Sequence, residues 1–507
     1  MKLCELLCDV KVTKWGCAPE TEVSGVVSDS RHVMGGELFV AIVGTTSDGH
    51  DHVCEAFSRG CAAAVVSRAD TVSGELPYIL VENTRHAEAH IWNNLYGRPA
   101  DGMKVIAVTG TGGKSSTSMM IREIFLNAGH RVGIVSTIKI MADDETIFCN
   151  GGSSLYGAAA AMTTPDPEIL YSAIATMKER GVDTLVLELS SHALDQYKAD
   201  PISIDVAVFT NLTPEHLDYH GDMERYFQAK ARLATMAKRL VVNIDDKYMS
   251  RLASVYRDRS VTCSADSSFG GSGNADVTAL RQNSLGMSGM EYVYFSREAV
   301  FKVKSPIPGR FTVYNSMLAG AAAMAAGASP EAVRDGIRSL DSVNGRLERV
   351  SLDADVPFEV FIDYAHTPAA LEGLLNTVRG VRNKGQRIIL LFGCGGERDR
   401  SKRSRMGAIA SRLADFVIIT EDNSRREPRS RIITDIMAGI DREKPHVLIY
   451  DRREAIEYAV RCAGEGDIIL LVGKGHEQYE INEKGKVPFS EAEIVRNAVK
   501  GLEDYQR

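Results

Sequence analysis

The chain has 507 residues, of which 44% are hydrophobic and 25% charged, as is ordinary for a globular protein with several domains. Its 59 basic residues are outnumbered by 67 acidic ones, and the net charge of -8 argues against a general nucleic-acid binder. The nine cysteines have neither zinc-site nor disulfide spacing. The apolar stretch near Met1 is broken by Glu5 and is too short for a signal peptide. We therefore expect a cytoplasmic protein without membrane insertion.

Three segments follow one another along the chain. Residues 1–102 contain short β-rich pieces between helical stretches. In residues 103–342, apolar runs such as "KVIAVTG" and "DTLVLELS" alternate with amphipathic helices, and residues 343–507 repeat the pattern with "RIILLFGCGG" and "DIILLVGKGH". This alternation predicts the α/β class, with parallel sheets buried on both faces. Ligands of such sheets bind beyond the carboxyl ends of the strands, so the polar residues there are the candidates for function.

The stretch "VIAVTGTGGKSST" predicts a phosphate-binding loop between a strand and a helix. The usual loop has a glycine five residues before its Gly-Lys pair, but Val108 occupies that position and the nearest glycine is Gly110. Gly110 and Gly113 still allow the main chain to turn its N–H groups toward phosphate oxygens. Lys114 can reach the β- and γ-phosphates, and the Ser115 hydroxyl can bind Mg²⁺. The alternative is an ordinary glycine turn before a helix.

Further candidates follow the apolar strands of the central segment. Glu188 closes the run "DTLVLELS", where its carboxylate can hold Mg²⁺; the alternative is a residue at a capped helix start. "NLTPEHLDYHG" predicts a loop that carries His216, Asp218 and His220, and Lys230 lies in the following helix. Taken singly, the histidines could equally be structural, and Lys230 could be a solvated surface lysine.

Together these stretches resemble the ATP-dependent Mur ligases of bacterial cell-wall synthesis. The resemblance covers all three segments in order. It rests on "SDSRHVMGGELFVAIVG", "GTGGKSST", "ELSSHAL", "FTNLTPEHLDYHG", "YFQAKARL", "PGRFTVYNSMLA", "GRLERV", "FIDYAHTP", "FGCGGERDRSKR", "TEDNSR", "GKGHEQY" and "PFSEAE". It implies an N-terminal UDP-substrate-binding domain (1–102), a central ATP-binding domain (103–342) and a C-terminal Rossmann-like domain that binds an amino acid (343–507).

Within the family the chain is most similar to the members that add the third residue to UDP-N-acetylmuramoyl-L-alanyl-D-glutamate. The resemblance implies transfer of the γ-phosphoryl group of ATP to the glutamate carboxylate, with Mg²⁺, followed by attack of an amino-acid amine on the acyl phosphate. We expect a monomer. Both the glutamate carboxylate and the triphosphate are negatively charged, so catalysis requires cations that neutralise this charge. The alternatives are ligation of L-lysine or another diamine, a folylpolyglutamate synthetase, a P-loop GTPase and a nucleotide-binding module without catalysis.

The resemblance assigns roles residue by residue. Lys114, Glu188, His216 and Lys230 would be catalytic, with Ser115, Glu188, His216 and a carbamylated Lys230 holding Mg²⁺. The ATP-binding positions are Gly110, Thr111, Gly112, Gly113, Lys114, Ser115, Ser116, Asn315, Arg346 and Asp363. The UDP-substrate positions are Ser30, Thr163, Thr164, Ser190, Gln196 and Lys198. Lys198 stands where the family commonly has arginine, so a bidentate grip on a carboxylate becomes a single-point contact.

The same resemblance identifies the incoming amino acid as meso-2,6-diaminopimelate. Its positions are Arg398, Asp422, Asn423, Ser424, Arg425, Gly473 and Glu477. A family pattern Asp-Asn-Pro-Arg survives here as "DNSR", with Ser424 in place of the proline that would stiffen the turn. Arg425 can grip the distal carboxylate that lysine lacks. The alternative is a surface arginine within the basic stretch "RREPRSR".

Overall fold

A computed structural model of the chain describes residues 1–44, 47–72, 74–149, 162–266 and 275–506. The chain forms two compact units. Unit 1 comprises Met1–Cys263 and Ala321–Ser329, and unit 2 comprises Ser264–Gly320 and Pro330–Arg507. Within the described residues, no helix is both long and apolar enough to cross a membrane. The three predicted domain ranges stay a prediction, because this division into two units follows different boundaries.

Unit 1 begins with a five-stranded sheet in the order β1-β5-β4-β3-β2, in which only β1 runs antiparallel to its neighbour. The β-rich character predicted for this segment is therefore correct. The elements are α1 (Leu3–Leu6), β1 (Val12–Trp15), β2 (Val26–Val27), β3 (Leu38–Val40), α2 (Val53–Ser58), β4 (Ala63–Val66), β5 (Tyr78–Val81) and α3 (Thr84–Leu95).

A second sheet of unit 1 has the strand order β13-β12-β11-β6-β10-β7-β8-β9. Its strands are β6 (Lys104–Thr109), β7 (Val132–Val135), β8 (Lys139–Ala142), β9 (Glu145–Cys149), β10 (Thr184–Glu188), β11 (Ile204–Phe209), β12 (Ala237–Asn243) and β13 (Ser260–Ser264). Its helices are α4 (Lys114–Asn127), α5 (Pro167–Glu179), α6 (Ser191–Asp195), α7 (Leu217–His220), α8 (Met223–Ala231), α9 (Leu233–Met236) and α10 (Lys247–Val255).

The strands from β13 to β7 are parallel, as the apolar runs predict, whereas β8 and β9 add an antiparallel hairpin. One apolar core joins the two sheets of this unit: it includes Val65 of β4 and Leu187 of β10, together with Trp92 of α3 and Tyr171 of α5. The carboxyl ends of β6, β10 and β11 lie side by side, because these three strands are neighbours in register. This edge carries the predicted phosphate loop.

Unit 2 contains an antiparallel group, β14 to β16, and a six-stranded sheet in the order β17-β18-β22-β19-β20-β21. Its strands are β14 (Val277–Ser284), β15 (Met290–Ser296), β16 (Val300–Ser305), β17 (Glu348–Arg349), β18 (Glu359–Asp363), β19 (Ile388–Phe392), β20 (Phe416–Ile419), β21 (His446–Leu448), β22 (Ile468–Val472), β23 (Tyr479–Asn482) and β24 (Gly485–Pro488). The helices that begin here are α11 (Arg310–Ala325), α12 (Pro330–Ser339), α13 (Pro368–Val381), α14 (Ser401–Leu413), α15 (Arg429–Met437), α16 (Arg452–Cys462) and α17 (Glu491–Gln506).

The sheet of unit 2 is buried on both faces. Side chains of one strand alternate between two apolar clusters: Leu470 packs with Leu375 on one face, and Leu471 packs with Ile456 and Val495 on the other. From β18 to β21 the strands are parallel, so their carboxyl ends share one edge of the sheet. The predicted α/β class is confirmed in both units.

Candidate active site

The predicted phosphate loop connects β6 to α4 and is shaped by glycine. Gly110 has φ +150° and Gly113, at the start of α4, has φ +83°, so both adopt main-chain conformations that side chains disfavour. A Cβ atom on Gly110 would lie 1.8 Å from the Thr210 hydroxyl. That hydroxyl donates a 2.7 Å hydrogen bond to the main-chain oxygen of Gly112 and ties the loop to the end of β11. The loop therefore curves against the end of β11, with its shape set by the two glycines.

Two lysines meet at this loop. Lys114 donates to the main-chain oxygens of Gly110 (3.1 Å) and Thr111 (3.0 Å), and Lys230 donates to the same Gly110 oxygen at 2.8 Å. Lys230 is buried, which excludes the surface-lysine alternative. Burial first, and then the charge of Lys114, hold the pKa of Lys230 well below its ordinary value. This shift favours the neutral form of the amine, the form that reacts with CO₂.

Glu188 ends β10 as predicted, and its side chain is completely buried. One oxygen, Oε2, accepts hydrogen bonds from the hydroxyls of Ser115 (3.1 Å) and Thr137 (2.9 Å). The phosphate loop and the strand end are thus joined through a carboxylate and a hydroxyl, the hard oxygen ligands that Mg²⁺ prefers. Thr137 has no counterpart among the predicted residues, because nothing in the local sequence marks it.

His216 belongs to a cluster of aromatic rings and has a left-handed main chain, with φ +55°. Its ring packs edge-on against His192 at 4.9 Å between centroids. Burial, and then the charges of His216 and His220, lower the pKa of His192 to about 4, so His192 is neutral at pH 7. The loop prediction was wrong for Asp218 and His220, which lie in the one-turn helix α7. The turn is closed by hydrogen bonds from the N–H of His220 to the oxygen of His216 (3.0 Å) and from the N–H of Gly221 to the oxygen of Leu217 (2.8 Å).

Among the described residues, no three His, Cys, Asp or Glu side chains form a metal-binding group. The predicted Mg²⁺ ligands contain two such residues, Glu188 and His216, beside the Ser115 hydroxyl and the Lys230 amine. An unmodified amine is a poor ligand for Mg²⁺, whereas a carbamate supplies carboxylate-like oxygens. The buried carboxylate and its hydroxyl partner fit Mg²⁺, and Lys230 fits once it is carbamylated.

The predicted residues for the muramoyl dipeptide lie around the end of β10. The Thr164 hydroxyl donates to the main-chain oxygen of Glu188 at 2.8 Å, and the Thr163 hydroxyl lies 3.0 Å from that of Thr137. Lys198 is buried, and its Nζ is 2.8 Å from a carboxylate oxygen of Asp166. Asp166 therefore fixes the position of the Lys198 amine.

The remaining predicted residues of unit 1 are more scattered. Ser190 caps α6 by accepting from the N–H of Ala193 at 3.1 Å, and Gln196 donates to the Tyr219 hydroxyl at 3.3 Å. Ser30 lies in the N-terminal sheet region, where it donates to Glu55 at 2.9 Å.

In unit 2, the predicted nucleotide residues lie at separate places. Asn315 is buried in α11. Asp363 ends β18, and its two oxygens accept from the N–H groups of Leu347 (2.7 Å) and Ala365 (2.8 Å). Burial raises the pKa of Asp363, and the nearby Arg346 opposes this rise. The nucleotide-binding roles of these residues stay predictions.

The predicted amino-acid pocket lies after β20 and β22. Asn423 donates to Glu477 Oε2 at 2.7 Å, while its Oδ1 accepts from Lys474 Nζ (3.1 Å) and from the N–H of Ile481 (2.9 Å). These partners fix which end of the amide points to the carboxylate. Burial and then the charge of Asp422 raise the pKa of Glu477. Asp422 Oδ1 lies 3.4 Å from Lys474 Nζ. The buried Lys474 therefore contacts both Asp422 and Asn423.

Arg425 occupies the turn that Ser424 was expected to loosen. Its main chain is left-handed, with φ +53°, and its Nη1 donates to the main-chain oxygen of Gly396 at 2.9 Å. The turn is held by hydrogen bonds of the Arg425 N–H to Ile481 (3.0 Å) and of the Gly396 N–H to Asn423 (2.9 Å). Neighbouring segments thus supply the rigidity that proline would have given.

Two further predicted residues border this turn. Gly473 has φ +115°, and a Cβ atom there would lie 2.9 Å from a carboxylate oxygen of Asp422. A Cβ atom on Gly395 would lie 3.1 Å from Arg425 and 3.7 Å from the Arg398 side chain. Arg425 and Arg398 therefore flank one glycine turn.

Comparison with known proteins decides the family. Three family profiles match in order: "Mur ligase family, catalytic domain" over residues 22–96, "Mur ligase middle domain" over 108–323 and "Mur ligase, glutamate ligase domain" over 345–475. The chain is 38% identical to a protein of Geobacter metallireducens named UDP-N-acetylmuramoyl-L-alanyl-D-glutamate--2,6-diaminopimelate ligase. The alignment covers 99% of each of the two chains. The chain belongs to the Mur ligase family. It is accordingly an ATP-dependent, ADP-forming ligase.

Other Mur ligases are similar over nearly the whole chain. The equally named Aquifex aeolicus ligase is 37% identical over 94% of both chains. A solved structure of a UDP-N-acetylmuramoyl-L-alanyl-D-glutamate--2,6-diaminopimelate ligase has a TM-score of 0.69 at 28% identity and covers 99% of both chains. The MurF ligase of Thermotoga maritima in complex with ADP has a TM-score of 0.58 at 17% identity, covering 96% of this chain and 99% of its own, and shares the fold.

Proposed function

We propose that this Mur ligase joins meso-2,6-diaminopimelate to UDP-N-acetylmuramoyl-L-alanyl-D-glutamate in peptidoglycan synthesis. The γ-phosphoryl group of ATP passes to the glutamate carboxylate, which releases ADP and leaves an acyl phosphate. The amine of diaminopimelate attacks the acyl carbon, phosphate leaves, and an amide forms with loss of one proton. Because its substrates are ATP and nucleotide-linked metabolites, we place the enzyme in the cytoplasm. We also propose that it acts as a monomer.

The observation that carries the choice of amino acid is that Arg425 and Glu477 both hydrogen-bond to Asn423, which places a cation and an anion on either side of one residue. Arg425 is close enough to oppose the rise in the pKa of Glu477, and Asn423 joins the two through its main chain and its amide. A fixed cation beside a fixed anion matches the distal end of diaminopimelate, which bears a carboxylate and an ammonium group. L-Lysine brings only the ammonium group and offers the Arg425 guanidinium no carboxylate to bind.

The residues of unit 1 suit the phosphoryl transfer. Lys114 and the main-chain N–H groups of its loop would hold the triphosphate, and Thr163, Thr164 and Lys198 would hold the dipeptide. Ser115, Glu188, His216 and carbamylated Lys230 would hold Mg²⁺. When bound, Mg²⁺ neutralises negative charge on the phosphate and carboxylate oxygens. The protein's own part is to orient the carboxylate toward the γ-phosphate and to place the Lys114 amine beside the transferred group.

Phosphate release tests the proposal directly. Purified protein with ATP and Mg²⁺ should release phosphate only when both UDP-N-acetylmuramoyl-L-alanyl-D-glutamate and meso-diaminopimelate are present, and mass spectrometry should find the tripeptide. UDP-N-acetylmuramoyl-L-alanine serves as the control acceptor and should give no product. Release that does not depend on the UDP-dipeptide would refute the proposal.

A further inference from the structure

Arg452 and Glu491 form a fully buried ion pair in unit 2. Arg452 begins α16 and Glu491 begins α17, and their side chains are 0% and 2% exposed. The guanidinium contacts Glu491 Oε1 through Nε at 2.9 Å and Nη2 at 2.8 Å. Glu491 belongs to "PFSEAE", a stretch that the proposed function leaves without a role. Charged side chains are almost never buried so completely, and their desolvation is costly.

The rest of the guanidinium is bonded to two strand ends. Nη1 donates to the main-chain oxygen of Glu421 at 3.1 Å, and Nη2 donates to that of Val472 at 3.0 Å. Glu421 lies two residues beyond β20, and Val472 is the last residue of β22. These strands are not neighbours, because β19 lies between them. No ladder hydrogen bond joins β20 directly to β22, and Arg452 links their ends across β19.

Both carbonyls immediately precede residues of the proposed amino-acid pocket. The residue after Glu421 is Asp422, which starts the turn that carries Asn423 and Arg425. The residue after Val472 is Gly473, from which the chain continues to Glu477. The distance between the proposed cation and the proposed anion of the pocket therefore depends on how these two strand ends are held, together with the Asn423 hydrogen bonds that link the two turns.

We propose that the buried Arg452–Glu491 pair is a positioning device that sets the spacing between Arg425 and Glu477 and thereby the affinity for the incoming diamino acid. This inference rests on the proposed function. Arg452 acts through the main chain and does not touch substrate. A role in stability alone would not need the pair, since well-packed apolar residues commonly replace a buried ion pair without loss of stability.

The test uses full-length variants with saturating ATP and UDP-dipeptide. Arg452→Lys keeps the charge but cannot reach every acceptor, Glu491→Gln keeps the shape, and Arg452→Met/Glu491→Leu replaces the pair by apolar side chains. The matched control is Arg387→Met. Arg387 pairs with Asp467, and both residues immediately precede strands of the same sheet, at the opposite ends from the pocket.

We expect the KM for meso-diaminopimelate to rise about tenfold or more in the pair variants, because small displacements of binding groups cost this much. The KM values for ATP and UDP-dipeptide should stay within about twofold of wild type, and Arg387→Met should alter none of the three. Melting temperatures identify the folded variants, and if the double variant does not fold, the two single variants decide by the same criterion.

An unchanged KM for diaminopimelate in the folded variants, or an equal rise in all three KM values, would overturn the positioning role. A wild-type protein that fails to use diaminopimelate would instead overturn the proposed function, so the two failures are distinguishable.

Discussion

Lys230 donates a 2.8 Å hydrogen bond to the main-chain oxygen of Gly110, which also accepts from Lys114. A buried amine beside a second cation is driven toward its neutral form, and neutral amines react with CO₂. We expect ligase activity to fall in CO₂-depleted buffer and to return when bicarbonate is added. Activity that is indifferent to bicarbonate, together with a crystal structure that shows an unmodified Lys230, would contradict the carbamate.

Lys230→Ala should be inactive, because it removes the anion that the carbamate would offer to Mg²⁺. A short carboxylate such as acetate should restore part of the activity by filling the space. The matched control is Lys178→Ala, which removes an exposed helical lysine of the same unit and should have wild-type activity. Full activity of Lys230→Ala without acetate would show that the buried lysine is dispensable.

Lys114→Ala should lose at least about a hundredfold in ligation rate, because its charge would neutralise the phosphoryl group during transfer. Its ammonium donates to the main-chain oxygens of Gly110 and Thr111 in the phosphate loop, outside the apolar core. Phosphate release and the melting temperature together check this expectation. A near wild-type rate would mean that the glycine loop does not hold the triphosphate.

Glu188→Gln should raise the Mg²⁺ concentration for half-maximal activity by about tenfold or more, because an amide is a weaker ligand for a hard cation. The substitution keeps the shape and an oxygen that can accept from Ser115 and Thr137. Glu179→Gln, at an exposed position before β10, is the control. A Mg²⁺ titration that coincides with wild type would remove Glu188 from the metal site.

Glu88→Gln should change how stability depends on pH. Burial and then the charge of Asp166 raise the pKa of Glu88 to about 7, against the opposing charges of Arg85 and Lys198. A carboxyl whose folded-state pKa is raised contributes stability below its unfolded pKa, near 4.5, and that contribution is lost as pH rises to about 7. The variant should therefore gain on wild type by up to about 3 kcal/mol between pH 5 and 8. A constant difference in melting temperature across this range would contradict the shift.

Local sequence was enough to predict the parts of the site that follow from strand ends and glycine turns. Glu188 was predicted because an unbroken apolar run ended at a carboxylate, and the phosphate loop because glycines stood between a strand and a helix. The β8–β9 hairpin was not predicted, since its short strands include polar residues and its turn depends on the left-handed Asp143.

Other features depend on contacts between residues far apart in the chain. Nothing in the helix of Lys230 distinguishes a buried lysine from a solvated one, because its burial comes from packing against the phosphate loop. The Arg452–Glu491 pair joins residues 39 positions apart. Lys474 and Asn423 are separated by 51 positions, so no local pattern relates them.

The pocket after β20 and β22 is proposed to select a diamino acid with a distal carboxylate. The measurement is kcat/KM for meso-diaminopimelate against L-lysine in wild type, Arg425→Ala and the control Arg426→Ala, which removes the exposed neighbouring arginine. Wild type and the control should prefer diaminopimelate by about a hundredfold or more, and Arg425→Ala should lose most of that preference, because lysine has no distal carboxylate for the Arg425 guanidinium to bind. Equal or better use of lysine by the wild type would show that the pocket does not select for the distal carboxylate.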